Sequence, residues 1–505
     1  MRALDSNQER WRANAGELSP AFIDAGCIVS IIFLALTTLL WNYQALPLQY
    51  WDESRNANNA LEMVLGSGWL VPAYDGQVDH WNTKPPLLIW LMAGLMKLGF
   101  APLLAVRLPS AIAACLTMIL VWVVVRYGLR DRFAAAIAVI LLFSSKIYTG
   151  IHGAHTGDYD TLLALFITGY ILSVWQALIA QDTQKKYWRL CAGICLVLAV
   201  LTKGPAGAFG LIGLCLFFAM TGQLLSIVKD WRWWFVGIAA ISFCLSYYIT
   251  RELYDPGYLN AVWINEITGR YSETNEAHYY GHWFYISTLF KQFEPGALFL
   301  LLIGVSLCSS NVARKRLVQI SFFSGAGIVI LLSSAKTQLY WYLIPAIPLL
   351  SIAAAIAVVD AIRKFHLQRT AIRMFCILFL ALPLLVSIYK NAFSLPAKAQ
   401  QKARISQYGV LFDELRRTGN MQRPITVIDD GVDNTAGLVN YNPELKFYTR
   451  LEQQKGSIIR TKKLVDAAAI SGLVASCDYK NTKTLRAMLN HVLIDRNVCV
   501  AGYKD

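Results

Sequence analysis

Charge is scarce in this sequence. Asp, Glu, Lys and Arg make up 15% of its 505 residues, against 56% hydrophobic, and the mean hydropathy is +0.43. A soluble chain of this length carries about a quarter charged residues, so an ordinary water-soluble protein is excluded. Acidic residues are scarcer still, 32 against 46 basic, which leaves a net charge of +14. That excess does not point to nucleic acid. The basic residues sit mostly in short loops between apolar runs, where cytoplasmic loops of membrane proteins collect them. A short apolar core with a small-residue cleavage site is also missing, so Phe22–Leu46 reads as an uncleaved first span rather than a signal peptide. There is no internal repeat, no low-complexity segment and no Gly-rich loop of the kind that cradles nucleotide phosphates.

What is present is a series of apolar runs. Beyond the first span they fall near 86–99, 102–125, 133–149, 161–180, 188–201, 205–221, 233–250, 283–307, 317–334, 338–358 and 371–390. Many are close to the length that crosses a bilayer core as a helix, and only closed backbone structures survive in lipid. The 15 Trp and 24 Tyr suit a protein with many membrane–water boundaries. Arg2, Arg10 and Arg12 place the N-terminus in the cytoplasm, and the short basic loops at 126–132, 185–189, 229–232, 314–316 and 363–369 belong on the same side. A full crossing by 86–99 would invert every later loop against its charge, so either that short segment does not cross fully or a further break lies elsewhere. The expectation is a mainly α, polytopic protein of 11–13 spans, with the 47–85 loop, the large 251–282 loop and the tail outside. Residues 1–21 form a cytoplasmic segment, 22–394 the transmembrane domain and 395–505 a soluble domain.

The tail changes character. Ile425–Ile428, Lys446–Thr449 and Gly472–Ala475 read as strands, separated by turn signals at Asp430-Gly431 and Asn442-Pro443. About a hundred residues can support a small α/β core. Eight of the ten cysteines lie in apolar spans, where a thiol acts as a small hydrophobe. Cys477 and Cys499 alone lie in the tail, which the charge pattern puts in an oxidising compartment. A Cys477–Cys499 disulfide is expected, with two buried free thiols as the alternative.

Five clusters carry possible chemistry. In the first external loop, Ala57, Ala60, Leu61, Val64 and Leu65 make one apolar stripe of a helix that Gly66 and Gly68 stop. That helix should lie in the membrane interface, with Asp52 and Glu53 at its N-terminus, where the helix dipole favours carboxylates. Lys84 then stands beside Pro85-Pro86. The second cluster is HGAHTGDYDTLLALF, with Asp158 and Asp160, and the third is Lys203 in LTKGPAG. The fourth is the loop with Glu266, Arg270, His278 and His282, and the fifth is Lys336 and Tyr342 in SSAKTQLYWYLIPAIP. Each has a bland reading: a helix cap, solvated carboxylates, a snorkelling lysine. Together they gather Lys84, Lys203, Arg270 and Lys336 beside Asp52, Asp158 and Asp160 on the external face, against the positive-inside trend. A membrane-embedded phosphate ligand would account for that concentration.

The order of motifs, DE-x-R with E-M, GWLVP, KPPLL-x-W, RLPSAIA at 107–113, TGDYDTLL, LTKGP and K-x-x-x-x-x-Y-x-x-P at 336–345, resembles the GT-C glycosyltransferases. The likeness is greatest to the branch that holds lipid A aminoarabinose transferase and the protein O-mannosyltransferases, and it covers about residues 22–350. Two positions depart from the pattern: Thr83 stands where many relatives have Glu, and Gln338 replaces a second basic residue. The resemblance implies a GT-C fold and a sugar donor linked to a polyprenyl phosphate such as undecaprenyl phosphate, used at the periplasmic face of a bacterial inner membrane. It implies transfer with inversion at the anomeric carbon to lipid A or lipopolysaccharide, or in the alternative to protein hydroxyls. Asp52, with Glu53 and Asp160, would be catalytic, Asp52 as the general base on an acceptor hydroxyl or as the group that orients a phosphate acceptor needing little deprotonation. Arg55, Lys84, Asp158, Lys203, Arg270, Lys336 and Tyr342 would bind the lipid phosphate and sugar. No cofactor is firmly implied, but His278 and His282, spaced i,i+4, could bind a divalent metal. A transporter or flippase is the rival of another class; it would explain spans and intramembrane charges, but neither the Asp-Glu helix nor the separate outer domain.

Overall fold

The computed structural model describes residues 19–41, 43–272, 279–293, 295–365, 381–394, 407–431, 442–496 and 498–505. Among them, seven helical runs are long and apolar enough to cross a membrane. The first is α1 (Pro20–Leu40), preceded by α-helix capping from the Ser19 side chain. The first loop supplies α2 (Asp52–Leu65) and the apolar helix α3 (Leu87–Lys97). At 11 residues, α3 is about 16 Å long, half the hydrocarbon thickness. It is therefore too short to cross the bilayer by itself. The bundle continues with α4 (Pro102–Gly128), the shorter α5 (Arg132–Ser144), α6 (Tyr159–Ile179) and α7 (Asp182–Lys203). A tight GPAGA turn leads into α8 (Phe209–Met220), followed by α9 (Trp231–Tyr254). The 182–220 run, 39 residues, is broken where Gly204 takes a positive φ of 58° and Gly207 comes against the Ala199–Val200 backbone.

At the outer corner after α9 lies the short α10 (Tyr258–Val262), which widens into a π-helical stretch over Trp263–Ser272. The apolar segment at 283–307 is not one span. It forms three short helices, Phe284–Gln292, Gly296–Leu300 and Ile303–Leu307, because Pro295 interrupts the first junction. Then come α11 (Val312–Ser334), a 3-10 strap at Tyr340–Ala346 and α12 (Ile347–Lys364). The apolar segment 371–390 lies largely outside the described residues. The main core is built by α4, α5, α6, α11 and α12.

The tail has its own layers. Helix α13 (Tyr408–Arg417) leads to β3 (Ile425–Ile428), α14 (Pro443–Gln454), β4 (Ile459–Lys462), β5 (Gly472–Ser476), α15 (Tyr479–Met488), β6 (His491–Asp495) and β7 (Val500–Lys504); β1 (Ala73–Tyr74) and β2 (Gln77–Val78) form a separate hairpin in the first loop. The five strands run in the order β4-β3-β5-β7-β6, with β3 parallel to β4 and β5, and β7 antiparallel to β5 and β6. Lys446–Thr449 is helix, not strand: the Asn442 side chain caps α14 and Pro443 occupies its first position, so Asn-Pro starts a helix here rather than making a turn. Cys477 and Cys499 follow the β5–β7 register by one step and are disulfide-bonded, with Cα atoms 4.0 Å apart.

Candidate active site

Helix α2 is the centre of the first loop, and its surroundings are not those of a helix floating at an interface. Its apolar residues pack on α3, yet Glu53, Ser54, Arg55, Asn56, Asn58, Asn59 and Glu62 on its polar side are also buried. Each buried polar group has a partner, as it must. Asn58 Nδ2 donates to the Pro443 carbonyl at 2.7 Å, Asn56 Nδ2 to the Gly157 carbonyl at 3.1 Å and Arg450 Nη2 to Glu62 at 3.2 Å. The tail domain thus sits directly on α2 through α14. Gly66, in the left-handed conformation, ends the helix, and 53–63 are covered by neighbours on every side.

Two of the residues expected at the site are bound to buried partners within the chain. Glu53 is fully buried and accepts from Arg107 Nε at 2.7 Å, Gly157 N at 2.9 Å and Gln49 N at 2.8 Å, so its carboxylate is committed. Arg107, the arginine of RLPSAIA, also donates to the carbonyls of Tyr43, Leu46 and Pro47 and so ties α4 to the entry of the loop. Arg55 is not free for a phosphate. It pairs with Asp79, donating from Nε at 2.9 Å, and its guanidinium lies over the rings of Tyr74 and Trp81. Burial pushes the Asp79 carboxyl up, but the Arg55 charge and bonds from Arg55, Asn59 and Asn82 outweigh it and hold the group below the usual carboxylate range.

The remaining residues gather at the outer end of α6. Asp158 precedes the helix and Asp160 lies in its first turn, both favoured by the dipole. Asp160 accepts from Lys203 Nζ at 2.5 and 2.7 Å, and this buried ammonium lies 4.6 Å from the centre of the Tyr342 ring. Lys84 Nζ is 3.5 Å from Glu266 Oε1, which also accepts from Thr83 Oγ1 at 2.9 Å. Asp160, Lys203, Glu266, Thr337 and Tyr342 line a cavity of about 230 Å³ with apolar walls from α6, α8 and α11, and Lys84 is joined to it through Glu266. A largely apolar pocket with a few convergent polar groups is the form of a small-molecule site. Lys336 is exposed and lies between the lining residues Ala335 and Thr337. Gln338, the other departure from the family pattern, accepts from Tyr280 N at 2.9 Å and donates to the Gly281 carbonyl, so it fastens a loop rather than meeting an anion.

Asp52 belongs to a second group on the same helix start. Its side chain is half exposed, 52%, and Oδ2 is 3.9 Å from His152 Nδ1, which is 3.6 Å from Asp158 Oδ2. The His152 ring stacks on Trp341 at 4.0 Å and 18°, and its backbone is in the left-handed region, φ 64°. Burial lowers the affinity of the imidazole for a proton, but Asp158 and Asp52 outweigh it and push the pKa up to about 9. His155, close by, goes the other way, down to about 4, through burial and the Arg107 charge. Asp52, His152 and Asp158 each offer one ligand atom, all within 4.8 Å, and two carboxylates with an imidazole suit a divalent cation. Of the pair expected to hold a metal, His278 lies outside the described residues, and His282 is exposed beside Tyr279. Arg270 falls on the π-helical stretch, and its side chain lies outside what is described.

His152, Glu266, Asp79 and Arg107 were assigned no role from the sequence. His152 and Arg107 stand inside quoted motifs, and Glu266 four residues before Arg270. Nothing in their spacing says which of them faces a cavity and which a buried partner.

Bundle, first loop and small sheet domain together make the GT-C fold. Residues 83–249 match the family model described as dolichyl-phosphate-mannose-protein mannosyltransferase. The chain is 25% identical over 376 residues to undecaprenyl phosphate-alpha-4-amino-4-deoxy-L-arabinose arabinosyl transferase 2 of Proteus mirabilis, covering 72% of this chain and 65% of that one. It is 22% identical to the protein of that name from Pseudomonas fluorescens, over 62% of this chain and 53% of the relative. It thus spans about half to two thirds of these relatives' length. ArnT from Cupriavidus metallidurans, solved bound to undecaprenyl phosphate, superposes with a TM-score of 0.68 at 16% identity, covering 94% of this chain and 98% of the other. The chain is a multi-pass membrane protein with the GT-C fold.

Proposed function

We propose that this protein is an integral-membrane glycosyltransferase that moves a sugar from a polyprenyl phosphate of the undecaprenyl type to an acceptor at the periplasmic face of a bacterial inner membrane. The acceptor we favour is lipid A or lipopolysaccharide. One observation carries the reading: Lys203, held by Asp160, lines a largely apolar cavity together with Tyr342 and Glu266, and Glu266 in turn holds Lys84 beside it. A cation in the wall of an apolar pocket, with a second one next to it, suits a lipid phosphate, whose tail wants hydrocarbon and whose head wants charge.

The chemistry follows from that arrangement. As the acceptor hydroxyl attacks the anomeric carbon, its proton passes to the Asp52 carboxylate. The bond from that carbon to the phosphate oxygen breaks on the opposite face, which inverts the centre. Negative charge grows on the departing lipid phosphate, where Lys84, Lys203 and Lys336 would stabilise it, with the Tyr342 hydroxyl as a donor. Asp160 and Glu266 would hold the two lysines in place until the donor binds. A divalent cation, if required, would be held by Asp52, His152 and Asp158 and would supply further charge stabilisation.

Mass spectrometry of lipid A and of envelope glycans in cells with and without the gene tests the proposal. A sugar lost from lipid A on deletion is the expected result. Loss from proteins instead, in keeping with the mannosyltransferase family model, would move the acceptor. Unchanged glycans together with purified protein that cannot cleave a polyprenyl-phosphate sugar would overturn the reading and leave transport as the alternative.

A further inference from the structure

The corner between α9 and α10 holds an arginine that the chemistry above does not use. Arg251 is fully buried. Its Nη1 donates to the Tyr247 hydroxyl at 3.3 Å, while Nε and Nη2 have no hydrogen-bond partner among the described residues; the Asp255 carboxylate is 3.8 Å away. Placing an incompletely bonded guanidinium in the interior costs stability. What it does contact is the face of Tyr258, 3.8 Å from the ring centre, in cation–π geometry. Tyr258 is itself fully buried, stacks on Tyr248 at 5.9 Å and 17°, and donates its hydroxyl proton to the Thr83 carbonyl at 2.9 Å. Thr83 is the residue before Lys84.

Other contacts fasten the same loop to the same corner. His80 Nε2 is 2.6 Å from Asp255 Oδ1, and Asn265 Nδ2 donates to the His80 carbonyl at 3.4 Å. On the far side, Tyr248 meets the turn after Lys203. A Cβ on Gly204 would lie 2.9 Å from the Tyr248 hydroxyl and 3.6 Å from Pro85 Cδ. The stacked tyrosines therefore touch the backbone next to both lysines, Thr83-Lys84-Pro85 on one side and Lys203-Gly204 on the other.

We infer that Arg251 and Tyr258 are positioning residues that set Lys84, and through Tyr248 its register against Lys203, for the lipid phosphate. The inference rests on the reading of Lys84 as a phosphate ligand. Arg251 and Tyr248 both pack on the Tyr258 ring, and the Tyr258 hydroxyl fixes the carbonyl one residue before the lysine. Neither Arg251 nor Tyr258 touches substrate.

Tyr258→Phe keeps the ring and its packing and removes only the bond to Thr83. In full-length protein in detergent, binding of undecaprenyl phosphate to wild type, Tyr258→Phe, Lys84→Ala and the double variant separates the possibilities. Tyr258→Phe should weaken binding about two- to tenfold, the effect of one hydrogen bond, with thermal melting unchanged. Lys84→Ala should weaken it at least tenfold. The double variant should bind no worse than Lys84→Ala alone, because a residue that acts through Lys84 has nothing left to position. A tyrosine with a merely structural role would add its full effect in the double variant, and that result overturns the inference. So does Tyr258→Phe binding as wild type while Lys84→Ala is weakened, which leaves the functional reading standing. Normal binding by Lys84→Ala overturns both. If Tyr258→Phe does not accumulate, Arg251→Lys carries the same cycle, with the same non-additivity expected.

Discussion

Asp52 and Glu53 are adjacent carboxylates at one helix start, and the structure separates them by burial. Asp52 is half exposed beside His152, whereas Glu53 is enclosed by Arg107 and two backbone amides. Asp52→Asn should leave melting unchanged and lower transfer at least a hundredfold, the scale of general-base catalysis. A purified Asp52→Asn protein with wild-type turnover would remove the base from the mechanism. Glu53→Gln should do the reverse and act on folding. It leaves the Arg107 guanidinium buried without its counter-charge, at about 3–5 kcal/mol, visible as a lower melting temperature whether or not donor is present. Asp79 gives a pH signature. Its folded-state pKa is depressed by Arg55, so the pair contributes its full stability above about pH 4, the range of an unfolded aspartate, and loses it as pH falls through the lower native value. Proteolysis within 66–85 should therefore accelerate only under strongly acidic conditions, and in Asp79→Asn it should already be fast at neutral pH.

The helix that carries these carboxylates shows what an amphipathic pattern can and cannot say. The stripe Ala57, Ala60, Leu61, Val64, Leu65 and the glycine stop are visible in the sequence, and the helix runs over Asp52–Leu65 with Gly66 at its end. Its polar side looked like a water-facing one. It is buried because Arg107, Asp79, Gly157 and α14 come from elsewhere in the chain to satisfy it, and no local pattern encodes distant partners. The pairing of Arg55 with Asp79 was not legible for the same reason. The 283–307 run shows the converse error, where hydrophobicity was continuous and the Glu294-Pro295 break was passed over. The α7–α8 break was legible as Gly204-Pro205, and it is the element most sensitive to one methyl group. Gly204 has φ 58° and ψ −134°, a region essentially reserved for glycine, and a Cβ there would press on Tyr248. Gly204→Ala should cost about 1–3 kcal/mol and reduce turnover as well, since Lys203 immediately precedes it. Full activity with an unchanged melt would show that the turn tolerates the strain.

Across the molecule, a helical membrane domain and a small five-stranded domain share one boundary, where α14 meets α2. The strands at 425 and 472 could be read from the sequence, but the contact between the two parts could not. The Cys477–Cys499 bridge closes a loop with a sequence separation of 22 within the small domain. Its removal in Cys477→Ala/Cys499→Ala should cost about 3 kcal/mol of that domain's stability, measured as faster protease cleavage in the tail. Unchanged resistance would mean that the domain core suffices without it. The junction itself has a different consequence, one of timing. Asn58 reaches a carbonyl 385 residues later in the chain, and Glu62 an arginine 388 residues later. During synthesis, α2 emerges early with a row of amides and carboxylates that have nothing to bind, and it must wait for almost the whole protein before its last partners appear. Until then the catalytic loop has no finished scaffold, so a chain released before α14 is made should insert in the membrane yet remain inert.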